Sequence, residues 1–117
     1  MITSYELPVI LKEQIPEIPD TTSRLKPLLQ VFVAINNLAD LTGKAVIEHH
    51  YLLAGRCFRL AEKFYVQGDR IIRNLIRYSF VPSFPSFMPG DDAERMFVRS
   101  LIPVALYQLY EPVAKEE

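Results

Sequence analysis

The longest apolar periodic stretch of the chain runs from Lys26 to Glu48, KPLLQVFVAINNLADLTGKAVIE. At 100° per residue, Gln30, Asn37, Asp40, Lys44 and Glu48 fall on one narrow polar stripe. The rest of the circumference is apolar, from Leu28, Leu29 and Phe32 through Ile35, Leu38 and Leu41 to Val46 and Ile47. One neighbour cannot cover so wide an arc, so the pattern predicts a long helix wrapped on two or three sides. Asp40–Lys44 and Lys44–Glu48 are i,i+4 charge pairs, each worth about 0.2–0.5 kcal/mol. Pro27 suits the first turn, where its missing N–H costs nothing. Gly43 costs roughly 1 kcal/mol against Ala in a helix interior. Its place on the apolar arc with Ala39 and Asn36 predicts a close helix crossing, with a break into two helices as the alternative. Asn36 reads as a buried amide that needs hydrogen-bond partners.

Four further helices are predicted around this one. Residues 4–15 form the first, capped by Ser4, with Leu7, Ile10, Leu11 and Ile15 as its stripe. Pro16 and Pro19 stop it, and residues 16–22 read as a proline-rich loop. Thr22 or Ser23 caps the long helix that follows. His49-His50-Tyr51 makes the corner into a third helix, about Tyr51 to Gln67. Its predicted core face is Leu53, Cys57, Leu60, Ala61, Phe64 and Tyr65. Gly68 ends it and Asp69 caps a fourth helix, reaching Phe80, which buries Ile71, Ile72, Leu75, Ile76 and Tyr78. So tight a joint predicts an antiparallel helical hairpin. The phrase Tyr65-Val66-Gln67-Gly68-Asp69 resembles the inter-helix turn of a tetratricopeptide repeat, but no second unit follows at that period.

Residues 81–90 follow with dense proline, and Phe80, Phe84 and Phe87 recur among Ser79, Ser83 and Ser86. Helix is not expected at that proline density. The rings either plug one end of the core or form a rigid aromatic patch. Asp91 or Asp92 caps the last helix, whose core face is Phe97, Leu101, Val104, Ala105 and Leu109, with Tyr107 and Tyr110 opposite. Pro103 is expected to kink it. The tail 112–117 is expected to fray. The sum is one all-α domain over residues 1–117, about five helices in an antiparallel bundle around the 26–48 helix.

Composition narrows the function more than it names it. Half of the residues are hydrophobic and the net charge is −1, so nothing attracts nucleic acid or an acidic membrane globally. The apolar run is interrupted by Gln30, Asn36, Asn37 and Asp40, so no membrane span is expected. One cysteine excludes an internal disulfide, no secretory signal is read, and the expected setting is a reducing cytoplasm. His49 and His50 diverge on a helix, so no metal site is expected. Cys57 sits on an apolar face, as a structural cysteine does. No phosphate loop, HExxH or GxSxG appears, no cofactor is expected, and enzyme is the minority reading. Between Arg56 and Arg77 six cations face only Glu62 and Asp69, a local excess of +4.

The segment Cys57-Phe58-Arg59-Leu60-Ala61-Glu62-Lys63-Phe64-Tyr65-Val66-Gln67-Gly68, with Ser100-Leu101-Ile102-Pro103-Val104-Ala105-Leu106-Tyr107, resembles a family of small uncharacterised bacterial proteins, helical throughout. That resemblance implies a helical fold and supplies no catalytic residue.

The leading expectation is therefore a non-catalytic protein-interaction module. Its candidate surface is Phe84, Phe87, Met88, Arg70, Arg73 and Arg77, and the hydrophobic surplus leaves room for a homodimer. The alternative is a ligand or catalytic pocket under residues 80–90, using Asn36, His50 and Tyr107. Nucleic acid on the 56–77 basic face comes last.

Overall fold

The computed structural model describes residues 1–18 and 26–115, without the side chains of Pro27 and residues 111–115. These residues form six α-helices and no strand: α1 Leu7–Gln14, α2 Pro27–Ile47, α3 Tyr51–Gln67, α4 Arg70–Leu75, α5 Asp92–Leu101 and α6 Val104–Lys115. A π-helical turn, Ile76–Phe80, and a 3-10 helix, Val81–Ser86, continue α4. The fold is all-α.

The α2–α3 pair is the centre. Helix α2 runs unbroken through Gly43 and packs on α1, α3, α4, the π turn and the 3-10 helix. Helix α3 packs on α1, α2 and α4 and also reaches α5 and α6. The polar stripe of α2 faces outward, with Asp40, Lys44 and Glu48 exposed. Its apolar arc is not wrapped at the ends: Leu28, Leu29, Phe32 and Ile47 are exposed. Gly43 is buried against the Phe87 ring, whose Cδ2 would lie 3.2 Å from an added Cβ. The close approach predicted at Gly43 is therefore to the 3-10 segment. Asn36 is only half-buried; the buried polar side chain of α2 is Thr42, whose hydroxyl donates to the Leu38 carbonyl at 2.6 Å.

Helix α2 ends in a Schellman motif, with His50 N–H donating to the Ala45 carbonyl at 2.8 Å and His49 N–H to that of Val46 at 3.2 Å. His49 takes the left-handed position usually given to glycine, at φ 63°. That sharp stop makes the corner, and α3 starts at Tyr51 as the pattern predicts.

Several expected boundaries differ. Ser4 does not cap α1; its N–H donates to Asp69 Oδ2 at 2.7 Å, and Thr3 instead pairs with Glu6 through its hydroxyl at 2.9 Å. The backbone of Ile2 zips onto the α3–α4 joint, donating to Gln67 O at 2.7 Å and accepting from Asp69 N at 2.8 Å. The loop 16–22 and the caps Thr22 and Ser23 lie largely or wholly outside the described residues. Gly68 ends α3 in extended backbone, φ −75° and ψ 160°, rather than in a left-handed cap. It is needed for space: an added Cβ would lie 2.2 Å from the Phe64 carbonyl oxygen and 2.6 Å from Ile72 Cγ2.

Residues 81–90 are not all loop. Pro82 falls in the first turn of the 3-10 helix, and Pro85 lies inside it. Ser83 and Ser86 donate from their hydroxyls to the Phe80 and Ser83 carbonyls, each at 2.6 Å, meeting acceptors in a proline-poor-donor segment. Residues three apart eclipse in a 3-10 helix. Phe84 and Phe87 therefore stack on one side, 5.6 Å apart, and both are buried. Phe84 also meets Phe80 and Phe58 at 5.5 Å and Tyr110 at 5.4 Å. Phe58, fully buried on α3, is a core ring that the predicted face of that helix lacked.

Pro103 breaks the last helix rather than kinking it. Asp91 caps α5 by accepting from Glu94 N at 3.0 Å, α5 stops at Leu101, and α6 starts afresh at Val104. The core face is shifted by one residue from the expected one: Val98, Ile102, Leu106 and Tyr110 are buried, whereas Phe97 and Val104 are exposed. The sequence offers apolar residues at both phases, and the break frees α6 to choose its own.

Candidate functional site

Helix α4 is short, and its start is fixed by Asp69, whose Oδ1 accepts the Ile72 N–H at 3.0 Å while Oδ2 accepts Ser4 N–H. It buries Ile72 and, at the head of the π turn, Ile76. With those inside, Arg70, Arg73 and Arg77 share the exposed side at i, i+3 and i+7. Seven residues of α-helical rise would spread these guanidiniums over about 10 Å.

The π turn changes what stands beside them. Ile71 and Tyr78, expected in the core, are 41% and 70% exposed. One extra residue per turn re-phases the chain after Leu75, so Tyr78 leaves the buried side. The Arg77 guanidinium lies 5.9 Å from the Tyr78 ring centroid, and Arg73 lies at the same distance from Tyr65 of α3. Such cation–π contacts hold a guanidinium for about 0.5–1 kcal/mol at an exposed site. Tyr65, Arg70, Arg73, Asn74 and Arg77 line a concavity of about 350 Å³. No carboxylate among the described residues pairs with the three arginines. The arrangement is a basic groove with one aromatic wall, Tyr65, suited to carboxylate or phosphate groups.

The other candidate residues do not join it. Phe84 and Phe87 are buried and Met88 is half-buried, so the two rings are core and present no surface patch. Asn36 stands three turns before the end of α2, about 16 Å along the axis from the corner at His50. His50 is exposed there, its Nε2 3.7 Å from Glu48 Oε2, and Tyr107 is half-buried on α6 beside Tyr110. Asn36 and His50 are thus beyond hydrogen-bond reach of one another, and the expected pocket does not assemble. His49 Nδ1 lies 2.7 Å from the Tyr51 hydroxyl. Among the described residues, no three of His, Cys, Asp and Glu are placed to hold a metal ion. No helix of the described residues is long and apolar enough to cross a membrane.

Cys57 lies at the α2–α3 crossing, fully buried. Burial pushes its thiol up from the ordinary value, opposed by a hydrogen bond with Thr42 and by Arg56. That is the environment of an inert thiol, not of a nucleophile.

Two tyrosines of this face were not foreseen there: Tyr65, half-buried in the groove wall, and Tyr78, exposed beside Arg77. Tyr65 read as core because it continues the Ala61–Phe64 face, and Tyr78 because it completes a 3.6-residue period from Leu75. Only the π turn separates the second from the core, and no local residue pattern announces it.

No curated protein and no solved structure matches the chain. Residues 8–116 match a family described as a domain of unknown function, DUF7674. The match spans nearly the whole chain, α1 through α6, and the protein therefore belongs to that family.

Proposed function

We propose that the protein is a non-catalytic interaction module that docks an acidic segment of a partner protein on the arginine face of α4. The observation that carries this reading is the set of Arg70, Arg73 and Arg77, exposed without carboxylate partners among the described residues, around a groove walled by Tyr65. Arg and Tyr are the residue types that dominate binding energy at protein interfaces. Exposed Ile71 and Tyr78 add apolar area beside the charges, which a protein partner uses and a phosphate backbone does not. The overall charge of −1 weighs against nucleic acid. A second copy of the chain is another protein partner in view, since Leu28, Leu29 and Phe32 of α2 are exposed; light scattering decides it. The buried lone thiol of Cys57 supports a reducing, cytoplasmic setting.

Fluorescence anisotropy with a labelled glutamate-rich peptide tests the reading. Binding at low salt should weaken at least about tenfold in R70Q/R73Q/R77Q, since charge-assisted contacts contribute about 1.5–3 kcal/mol each. Equal binding by that variant would remove the face from the account. Tighter, steeply salt-dependent binding of an oligonucleotide of equal charge would replace the protein partner with nucleic acid.

A further inference from the structure

A second basic concavity lies between the end of α1 and α3. Gln14, Ile15, Arg56, Arg59, Leu60 and Lys63 line about 270 Å³. Tyr65 and Lys63 are two residues apart on α3, about 200° round the helix, so this groove opens away from the α4 face. Its floor is apolar, with Ile15 and Leu60 buried.

One end of the groove is already fixed. Arg56 Nη1 donates to Glu17 Oε2 at 2.9 Å and Nη2 to the Gln14 carbonyl at 3.0 Å. The chain thus seats one of its own carboxylates on this stripe. A backbone hydrogen bond at Glu17, then Arg56, holds that carboxyl below its ordinary range, so the pair is ionised at neutral pH. Glu17 neutralises Arg56 and leaves Arg59 and Lys63 exposed, with no carboxylate partner among the described residues. They are like charges at i,i+4, a spacing that works against the helix. Arg59 also folds back along α3: its Nη1 would lie 3.4 Å from a Cβ on Gly55.

We propose that this groove binds a small organic anion, a carboxylate or phosphate head on a short apolar body. The head sits between Arg59 and Lys63, where it relieves their repulsion, and the body lies on Ile15 and Leu60. The site is independent of the α4 face.

Proton–nitrogen correlation spectra of the full chain test it, with hexanoate and hexyl phosphate as probes, hexanol as the uncharged control and inorganic phosphate as the head alone. Saturable shifts at the amides of Gln14, Arg59, Leu60 and Lys63 are expected with at least one of the two six-carbon anions. Their affinity should exceed that of hexanol or inorganic phosphate, and the tighter anion identifies the head group. R59Q/K63Q, at two exposed positions, should lose at least about tenfold in affinity. R70Q/R73Q/R77Q should bind as the parent does. Hexanol or phosphate binding as well as the anions, no saturable shift with either anion, or R59Q/K63Q binding unchanged would overturn the proposal.

Discussion

Gly55 lies inside α3 and Gly68 ends it, and the two should respond oppositely to alanine. At Gly68 the added methyl meets a backbone carbonyl oxygen at 2.2 Å, and neither chain can give way cheaply. G68A should lose about 3 kcal/mol, the upper part of the usual range for overpacking. At Gly55 the nearest atom is the far end of Arg59 at 3.4 Å, an ordinary contact. G55A should gain up to about 1 kcal/mol from helix propensity. Chemical denaturation of the two variants measures both signs. Cys57 gives a third residue-scale expectation, through pH. Its folded-state pKa is raised, chiefly by burial, so above the unfolded value the folded chain holds a proton that the unfolded chain releases. Stability is then complete below about pH 8.5 and falls as pH rises from there towards the folded pKa. The midpoint of thermal unfolding should fall more steeply between about pH 8 and 10 for the parent than for C57A, in which this linkage is absent.

At the scale of the element, the segment from Ile76 to Ser86 divides core from surface. Its inward side supplies Phe80 and Phe84 to a ring cluster with Phe58, Phe87 and Tyr110; its outward side supplies Arg77 to the groove and sets Tyr78 beside it. Phe84 touches the other four rings, so F84A should cost about 3–5 kcal/mol by denaturant titration, whereas R77Q should change stability by no more than about 0.5 kcal/mol. The helical elements up to Leu75 were legible because one signal dominated each. Tyr51 and Gly68 bracket α3, and Asp69 has no competitor as the cap of α4. The rest failed where two signals competed. Phe97–Leu101 and Val98–Ile102 are both apolar i,i+4 pairs, and only packing chooses the second. Proline density argued against helix at Val81–Ser86, but Pro82 falls in the first turn, where its N–H is not needed, and Ser83 and Ser86 supply donors to carbonyls from their side chains. Of the site, Arg70, Arg73 and Arg77 were readable from spacing and charge, while Tyr78 depended on a π turn and Tyr65 on which neighbour covers α3.

For the whole molecule, charge is segregated over a small body. The Cα radius of gyration is 13.7 Å, close to the roughly 13 Å expected for a compact chain of this length. The stretch from Arg56 to Arg77 carries +4 in a chain whose total is −1, so the remainder is net acidic. On the proposed function, such a distribution would steer an acidic partner toward α4, while the net charge gives polyanions no overall attraction. The aromatic cluster holds the fold, and the proposed recognition rests on the arginine face. The most direct measurement is a proton–nitrogen correlation titration of the full chain with the glutamate-rich peptide. Shifts should concentrate at Tyr65, Arg70, Arg73, Asn74, Arg77 and Tyr78. Shifts confined to other surfaces, or none as peptide is raised at low salt, would contradict the proposed recognition.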